Sequence, residues 1–383
     1  MRPLSQLFFV TLLTTVWAAP RASPGCGKTI ESSLTPGGPS KSFTHESDAG
    51  QYGIKMRRRI RIALPPKYKD YEPAPLILAF HGKHRNGTSF EHVTQFSDGK
   101  LNDNAVTVFP DGIDLRWSGD PSSPELKRNN DITYTLELLT HITESFCIDL
   151  NRIYAVGFSG GGGLVNLLAC DPTLSSSIAA YAIASGAFFR GTPVDPDTIF
   201  DPKLCNPNRT PIPMIEFHGD EDNIVGYDGK QSFDGPTYSI IGWLKSWAER
   251  NNCAFNKGEK EILNHGKVDK YNWECKDEEG KVFDKPILQH YLLHGVEHTW
   301  PSVPLPLTMA EDADANEFDA TEVILKFFGE HELPEEGAGV KEREKKLFEK
   351  EGKQEIEGLW EEGKEYEEKK EEKPEKADIK DEL

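Results

Sequence analysis

The sequence predicts an α/β protein built on one doubly wound, mostly parallel sheet with helices on both faces. Three observations lead there. From about residue 50 to 330, short apolar runs alternate with amphipathic stretches, the rhythm of βαβ units. Several of these runs are apolar throughout, as strands covered on both faces must be. One of them runs into Gly157-Phe158-Ser159-Gly160-Gly161 and then a helical pattern, a sharp strand–turn–helix junction.

In chain order the expected strands are RRIRIAL (58–64), LILAF (76–80), AVTVF (105–109), IYAV (153–156), AYAIA (180–184), PMIEF (213–217) and ILQHYLL (287–293). Helices fall between them. The stretch 131–146 opens on Asp131 as its N-cap and sets Ile132, Leu136, Leu139, Ile142 and Phe146 on one face. A second, 237–250, carries Ile240, Trp243, Leu244 and Trp247, and a third, 317–328, carries Phe318, Val323, Ile324 and Phe327. The LVNLLAC run after the glycines supplies one more.

The two ends have a different character. The N-terminus, MRPLSQLFFVTLLTTVWAAP, has one arginine, an apolar run too short to span a bilayer, and small residues around Ala18. That reads as a signal peptide over residues 1–18, leaving a domain from about 24 to 330. Residues 332–383 hold 12 Lys/Arg against 20 Asp/Glu and few large apolar groups, too little to bury a core, so an acidic tail or lone Glu/Lys helix is expected. This tail explains a mean hydropathy as low as −0.55. Its last residues, Lys380-Asp381-Glu382-Leu383, spell an ER-retrieval address, which would engage a retrieval receptor. A net charge of −19 argues against nucleic acid or an anionic membrane surface as partner.

Six cysteines in a secretory compartment imply three disulfides. Proximity in sequence favours Cys147–Cys170 and Cys253–Cys275, which leaves Cys26 for Cys205. The sequons at Asn86 and Asn208 are candidate glycan sites on surface loops.

The G-x-S-x-G stretch carries the chemistry. In a turn this sharp, side chains two residues either side of the serine would strike backbone, hence glycine at 157 and 161. Ser159 is then the candidate nucleophile, and the amide of Gly160 a donor to a developing oxyanion. Gly162 and Gly163 would let the helix lie close to the sheet or leave room for substrate. A second donor is expected after the third strand, at His81-Gly82 or Lys83. His81 and His84 are spaced like a metal pair but lack a third ligand nearby, so no metal is expected. The orienting carboxylate should come after a later strand, where Asp220, Glu221 and Asp222 are all available. The base should follow the last strand, at His298 or His294, with spacing favouring His298; His290 falls inside the strand.

The segments FHG, VFPDG, RWSGDP, NDITYTLELLTHI, FCIDLNRIYAVGFSGGGG, FHGDEDNIVGY and HTWP occur in the order found in fungal feruloyl esterases, so the chain from 24 to about 330 resembles the polyhydroxybutyrate-depolymerase-like group of α/β-hydrolases. The resemblance implies Asp222 as the acid, from HGxxD, and His298 as the base, from HTWP. It implies Trp117 of WxGDP as a substrate-cleft residue, with His81 and Trp300 as further substrate-side candidates. The expected activity is that of a secreted serine esterase, without cofactor, acting on feruloyl groups of wall arabinoxylan through an acyl-enzyme. Acetylxylan or a hydroxyalkanoate polyester is the alternative substrate, and an ER-lumen binding protein the alternative of another class. Two features depart from the group: Gly160 stands where Asn is frequent, and the acidic tail is additional.

Overall fold

The computed structural model describes residues 19–48, 55–121, 130–189, 205–229, 231–232, 235–277, 279–301 and 318–334. The chain divides into Met1–Pro334 and Glu335–Leu383, and every described residue belongs to the first unit. The signal peptide and the KDEL end therefore lie outside the described residues.

Ten strands form one sheet: β1 (Lys41–Ser47), β2 (Met56–Ala63), β3 (Ala74–Phe80), β4 (Val106–Pro110), β5 (Ile148–Phe158), β6 (Ala180–Ala184), β7 (Met214–Gly219), β10 (Glu259–Leu263), β11 (Val268–Trp273) and β12 (Leu288–Leu293). A two-residue ladder, β8 (Gln231–Ser232) with β9 (Gly235–Pro236), stands apart. Strand order is β1-β2-β4-β3-β5-β6-β7-β12-β11-β10. The six central strands, β4 to β12 in that order, are mutually parallel, and an antiparallel pair extends each edge. The sequence distinguishes these parts. β3, β4, β6 and β7 are buried at every residue; β3 and β6 read as continuous apolar runs, β4 is broken only by Thr107, and β7 carries Glu216 and His218 among its apolar residues. β2 alternates, burying Ile60 and Ile62 while Arg57 and Arg59 stay in water. β10 is almost wholly exposed, so no apolar run announces it.

Alternation along the central strands feeds two cores. Leu76, Leu78 and Phe80 of β3 share one with α2 (Asp131–Ser145), α3 (Gly160–Cys170) and α5 (Ile240–Arg250). Ile77 and Ala79 share the other with α1 (Gly87–Thr94) and α6 (Ala320–Gly329). The short α4 (Pro172–Ser177) follows α3. Helices thus cover both faces, as expected, with one correction. Asn130, not Asp131, caps α2, accepting from the Thr133 amide. Asp131 is buried instead against Arg58 at 2.5 Å and takes the Ser118 amide on its other oxygen.

Two of the expected disulfides are also corrected. The bridges are Cys26–Cys147, Cys170–Cys205 and Cys253–Cys275. Nearness in sequence misled for Cys147 because the N-terminal segment lies along the start of β5. Ser23 Oγ donates to Phe146 O and accepts from Ile148 N, and Gly25 N donates to Thr143 O. The domain also extends beyond its expected limits. Arg21 N bonds Asp149, and at the far end Leu333 N donates to Asn151 O while Tyr154 OH donates to His331 O.

Candidate active site

The chain runs from β3 out to β4 and back to β5, so a crevice opens at the carboxyl ends of β3 and β5, where open α/β sheets place their ligands. Ser159 sits there, between the last residue of β5 and the first of α3, at φ 54° and ψ −120°. For a residue with a Cβ this conformation costs on the order of 1–3 kcal/mol and persists only when its surroundings over-determine it. They do so here: Ser159 N donates to Ala184 O at 2.9 Å, and Ser159 O accepts from Gly163 N and Ala187 N, both at 3.0 Å.

The glycines make this turn possible. A Cβ on Gly157 would stand 2.3 Å from Gly161 O, and one on Gly161 would stand 2.2 Å from Phe80 O. Gly162 and Gly163 serve close packing, not substrate room: their Cβ positions fall 2.8 Å from Ile183 Cγ2 and 2.5 Å from Ala187 O. Gly160 differs. The nearest atom to a Cβ there is Lys83 N, at 3.7 Å, so its surroundings are open and the Lys83 amide is the neighbour across the gap. Gly82 packs beneath the elbow, close to Phe158 and Ser159 Cβ.

The loops after β7 and β12 supply two carboxylate–histidine pairs. His298 Nδ1 lies 2.7 Å from Asp222 Oδ2, and the other carboxylate oxygen accepts from Ile224 N at 2.9 Å and Val225 N at 2.7 Å. Burial would raise the Asp222 pKa, but hydrogen bonds from His218 and His298 outweigh it and hold the carboxyl well below its ordinary range. His298 also packs its ring on Phe158, centroids 4.9 Å apart. The second pair does not line the cavity that holds Ser159: His294 Nδ1 lies 2.7 Å from Asp220, and its Nε2 lies 3.0 Å from Asp269 on β11. Glu221 is exposed, and no described contact brings its side chain to either histidine.

Ser159, Gly160, Gly82, Lys83 and His298 line one cavity of about 540 Å³. Phe90, Val93, Phe158, Phe189, Ile224 and Val225 make much of its wall apolar, and Lys83 and Asp120 meet at 3.6 Å on it. The three substrate-side candidates fall elsewhere. Trp117 is 1 % exposed and spends its indole N–H on His81 O at 2.8 Å. His81 is fully buried, donating from Nδ1 to Gly82 O and accepting the Gly112 amide at Nε2, which burial favours by lowering its pKa to about 4. Trp300 packs edge-on against Phe90 and Phe96 and donates to Thr321. These residues shape the loops around the cavity from behind. Their neighbours Lys83, Asp120 and His298 do reach the wall. Phe90, Phe189, Ile224 and Val225 were missed, since apolar residues in loops and short helices carry no signal of their own.

The candidate glycan sites differ from each other. Asn208 is exposed, its Nδ2 on Ser176 Oγ, whereas Asn86 is half-buried and caps α1 with Ser89 in a capping box. No helix among the described residues is long and apolar enough to cross a membrane.

Sheet order and elbow together define an α/β-hydrolase fold. Known proteins agree with this. The chain is 30% identical over 206 residues to feruloyl esterase B of Piromyces equi, an alignment spanning 51% of this chain and only about a third (36%) of that relative. It is 26% identical over 234 residues to feruloyl esterase D of Neurospora crassa, covering 57% and 68%. Among solved structures, the acetyl xylan esterase from Aspergillus awamori shares the fold with a TM-score of 0.52 at 13% identity, covering 76% of this chain and 99% of that one. No protein-family profile matches.

Proposed function

We propose that this chain is a serine carboxylesterase hydrolysing feruloyl and related hydroxycinnamoyl esters of plant cell-wall polysaccharide. The observation that carries the reading is the placement of Ser159, on its strained elbow, and His298, held by Asp222, on one largely apolar cavity. His298 Nε2 takes the proton from Ser159 Oγ as that oxygen attacks the ester carbonyl. The tetrahedral oxyanion accepts from the amides of Gly160 and Lys83. Its collapse breaks the ester C–O bond, and the sugar hydroxyl leaves with the proton from His298. Water, deprotonated by the same imidazole, then releases the acid and restores Ser159. Asp222 fixes the tautomer that leaves Nε2 free to act as base and steadies the imidazolium as it forms. The chemistry draws on these side chains, two amides and water.

The wall of Phe90, Phe158, Phe189 and Ile224 suits the flat ring and vinyl group of a hydroxycinnamate better than a lone acetyl methyl. Release of ferulate from methyl ferulate is therefore expected to exceed release of acetate from acetylxylan. A preference for acetylxylan would move the substrate assignment and leave the mechanism. We further propose that the enzyme is exported, since a wall polysaccharide is met outside the cell. Activity in cell extract but not in medium would favour retrieval through the C-terminal KDEL.

A further inference from the structure

Behind Asp222 the sheet buries a row of titratable groups that the reaction above does not use. β7 is buried at every residue, yet it carries Glu216 and His218 on one face, and neither side chain reaches solvent. His290 on β12 stands opposite Glu216 in the parallel register. Glu216 Oε1 lies 2.9 Å from His218 Nδ1. Its Oε2 lies 2.7 Å from His290 Nδ1, an ion-pair distance off the axis of a hydrogen bond. His290 Nε2 in turn lies 2.9 Å from Tyr227 OH. On the other side of His218, Nε2 lies 2.8 Å from Val225 O and 3.3 Å from Asp222 Oδ2.

A carboxylate at the centre of a sheet is costly to bury. A structural role alone does not call for one beside a histidine that touches the acid of a Ser–His–Asp set. The two ring nitrogens of His218 settle its protonation by geometry. One faces a carboxylate, and the other faces a carbonyl and a second carboxylate. Burial would raise the Glu216 pKa, but His218 and His290 outweigh it and hold the carboxyl below its ordinary range. Facing that carboxylate, a neutral imidazole would aim a lone pair at an acceptor on one side, and only the doubly protonated ring satisfies both.

We infer that His218 is a positioning residue for the esterase reaction, an imidazolium held by Glu216 that anchors the Asp222 carboxylate and tempers its pull on His298. The inference rests on the catalytic reading of Ser159, His298 and Asp222. Burial disfavours charge on His218, but the Glu216 carboxylate, with the bonds to Asp222 and Glu216, more than offsets this and holds its pKa above the ordinary range. The charged and titratable neighbours are Glu216 on the same strand, Asp222 and the Tyr227 ring from the loop after it, and His290 from β12 across Glu216. Beyond them stand His298 on Asp222 and Tyr271 of β11 against His290. A fixed positive charge beside Asp222 weakens the attraction between that carboxylate and a protonated His298, so the base stays free of its proton at lower pH.

The test uses the full chain and two variants. Glu216→Gln removes the anion that keeps His218 charged while leaving a side chain of the same shape. The expected result is an acid limb of the kcat–pH profile displaced upward by about half a pH unit or more, with KM within about threefold, because the fixed cation beside Asp222 has been discharged. His218→Gln removes the anchor as well and is expected to lower kcat about 10- to 100-fold with little change in KM. Folded variants that keep the wild-type pH profile and kcat would overturn the inference, whatever they lose in melting temperature. Should either variant fail to fold, ¹⁵N-histidine spectra of the wild-type protein decide: a doubly protonated His218 from pH 5 to 9 is expected, and a neutral tautomer at pH 7 overturns it. Fluorophosphonate labelling of wild-type Ser159 is run alongside. Absence of label would defeat the catalytic reading itself, a failure distinct from either result at His218.

Discussion

At the scale of single residues, two histidines four positions apart in sequence meet different partners on the loop after β7. His294 follows β12 directly and is caught at the surface by Asp220 and Asp269, which raise its pKa, the Asp220 hydrogen bond first. His298 reaches over the end of the sheet to Asp222 and the Ser159 cavity. His298→Ala is therefore expected to lower kcat by roughly 10³- to 10⁶-fold, the scale on which such sets lose a member. His294→Ala should stay within about threefold, since His294 does not line the cavity that holds Ser159. Steady-state kinetics on both variants is the check, and the reverse order would move the base to 294. Spacing alone favoured this choice without making it, because each histidine finds a carboxylate on the same short loop, His294 at Asp220 and His298 at Asp222. Trp117, His81 and Trp300 show where sequence reading stops. A polar atom on an aromatic or imidazole ring can serve a ligand or the backbone, and here each serves the backbone or a buried hydroxyl.

Among elements, the junction of β5 and α3 was the most legible, because a steric requirement leaves a residue type behind it. Four of the glycines around Ser159 are fixed by contacts under 3 Å that any side chain would violate; Gly160 is not. Gly161→Ala would drive a methyl into Phe80 O and should cost several kcal/mol or fail to fold, overpacking against backbone having no easy relief. Gly160→Ala should fold and keep kcat within about tenfold, since the oxyanion takes its amide and not its side chain. Thermal melts with ferulate-release assays on the two variants separate them, and an unfolded Gly160→Ala would contradict the open space seen beside Lys83 N. The edge hairpins were less legible. β1 and β10 are held by ladder hydrogen bonds with much of their length in water, and β11 is only half-buried through its middle, so they carry neither an apolar run nor a strong alternation. The cysteines were partly legible for a related reason: pairing depends on which segment lies beside which, and the N-terminal segment announces its place along β5 only through backbone bonds.

For the molecule as a whole, the doubly wound core was readable because the central parallel strands are short, buried and mostly apolar, whereas its limits were not. Arg21, His331 and Leu333 are tied to β5 largely through backbone hydrogen bonds, which leave no pattern in composition. The buried titratable groups, taken together, set how stability depends on pH. Burial lowers the pKa of His45 and His81 to about 4 and of His331 to about 3, against about 6.5 for a free histidine. The unfolded chain therefore binds more protons at these three sites between about pH 4 and 6.5, and stability falls as the pH drops through that window. Asp222, held below its ordinary range, adds to the loss once the pH passes under about 4. His218 has the opposite sign. With its pKa raised in the fold, its contribution is complete below about 6.5 and is lost as the pH climbs through its higher folded value. The two tendencies cross near neutrality, so the melting temperature should peak around pH 6.5 to 7. It should fall on the acid side by several degrees per pH unit, because three histidines act together there and each can contribute up to about 1.4 kcal/mol per unit. Melting curves from pH 4 to 9 at fixed ionic strength give the answer. A melting temperature that rises steadily from pH 7 down to 4 would mean that these histidines charge without cost, and that the packing around His45, His81 and His331 is looser than the structure has it.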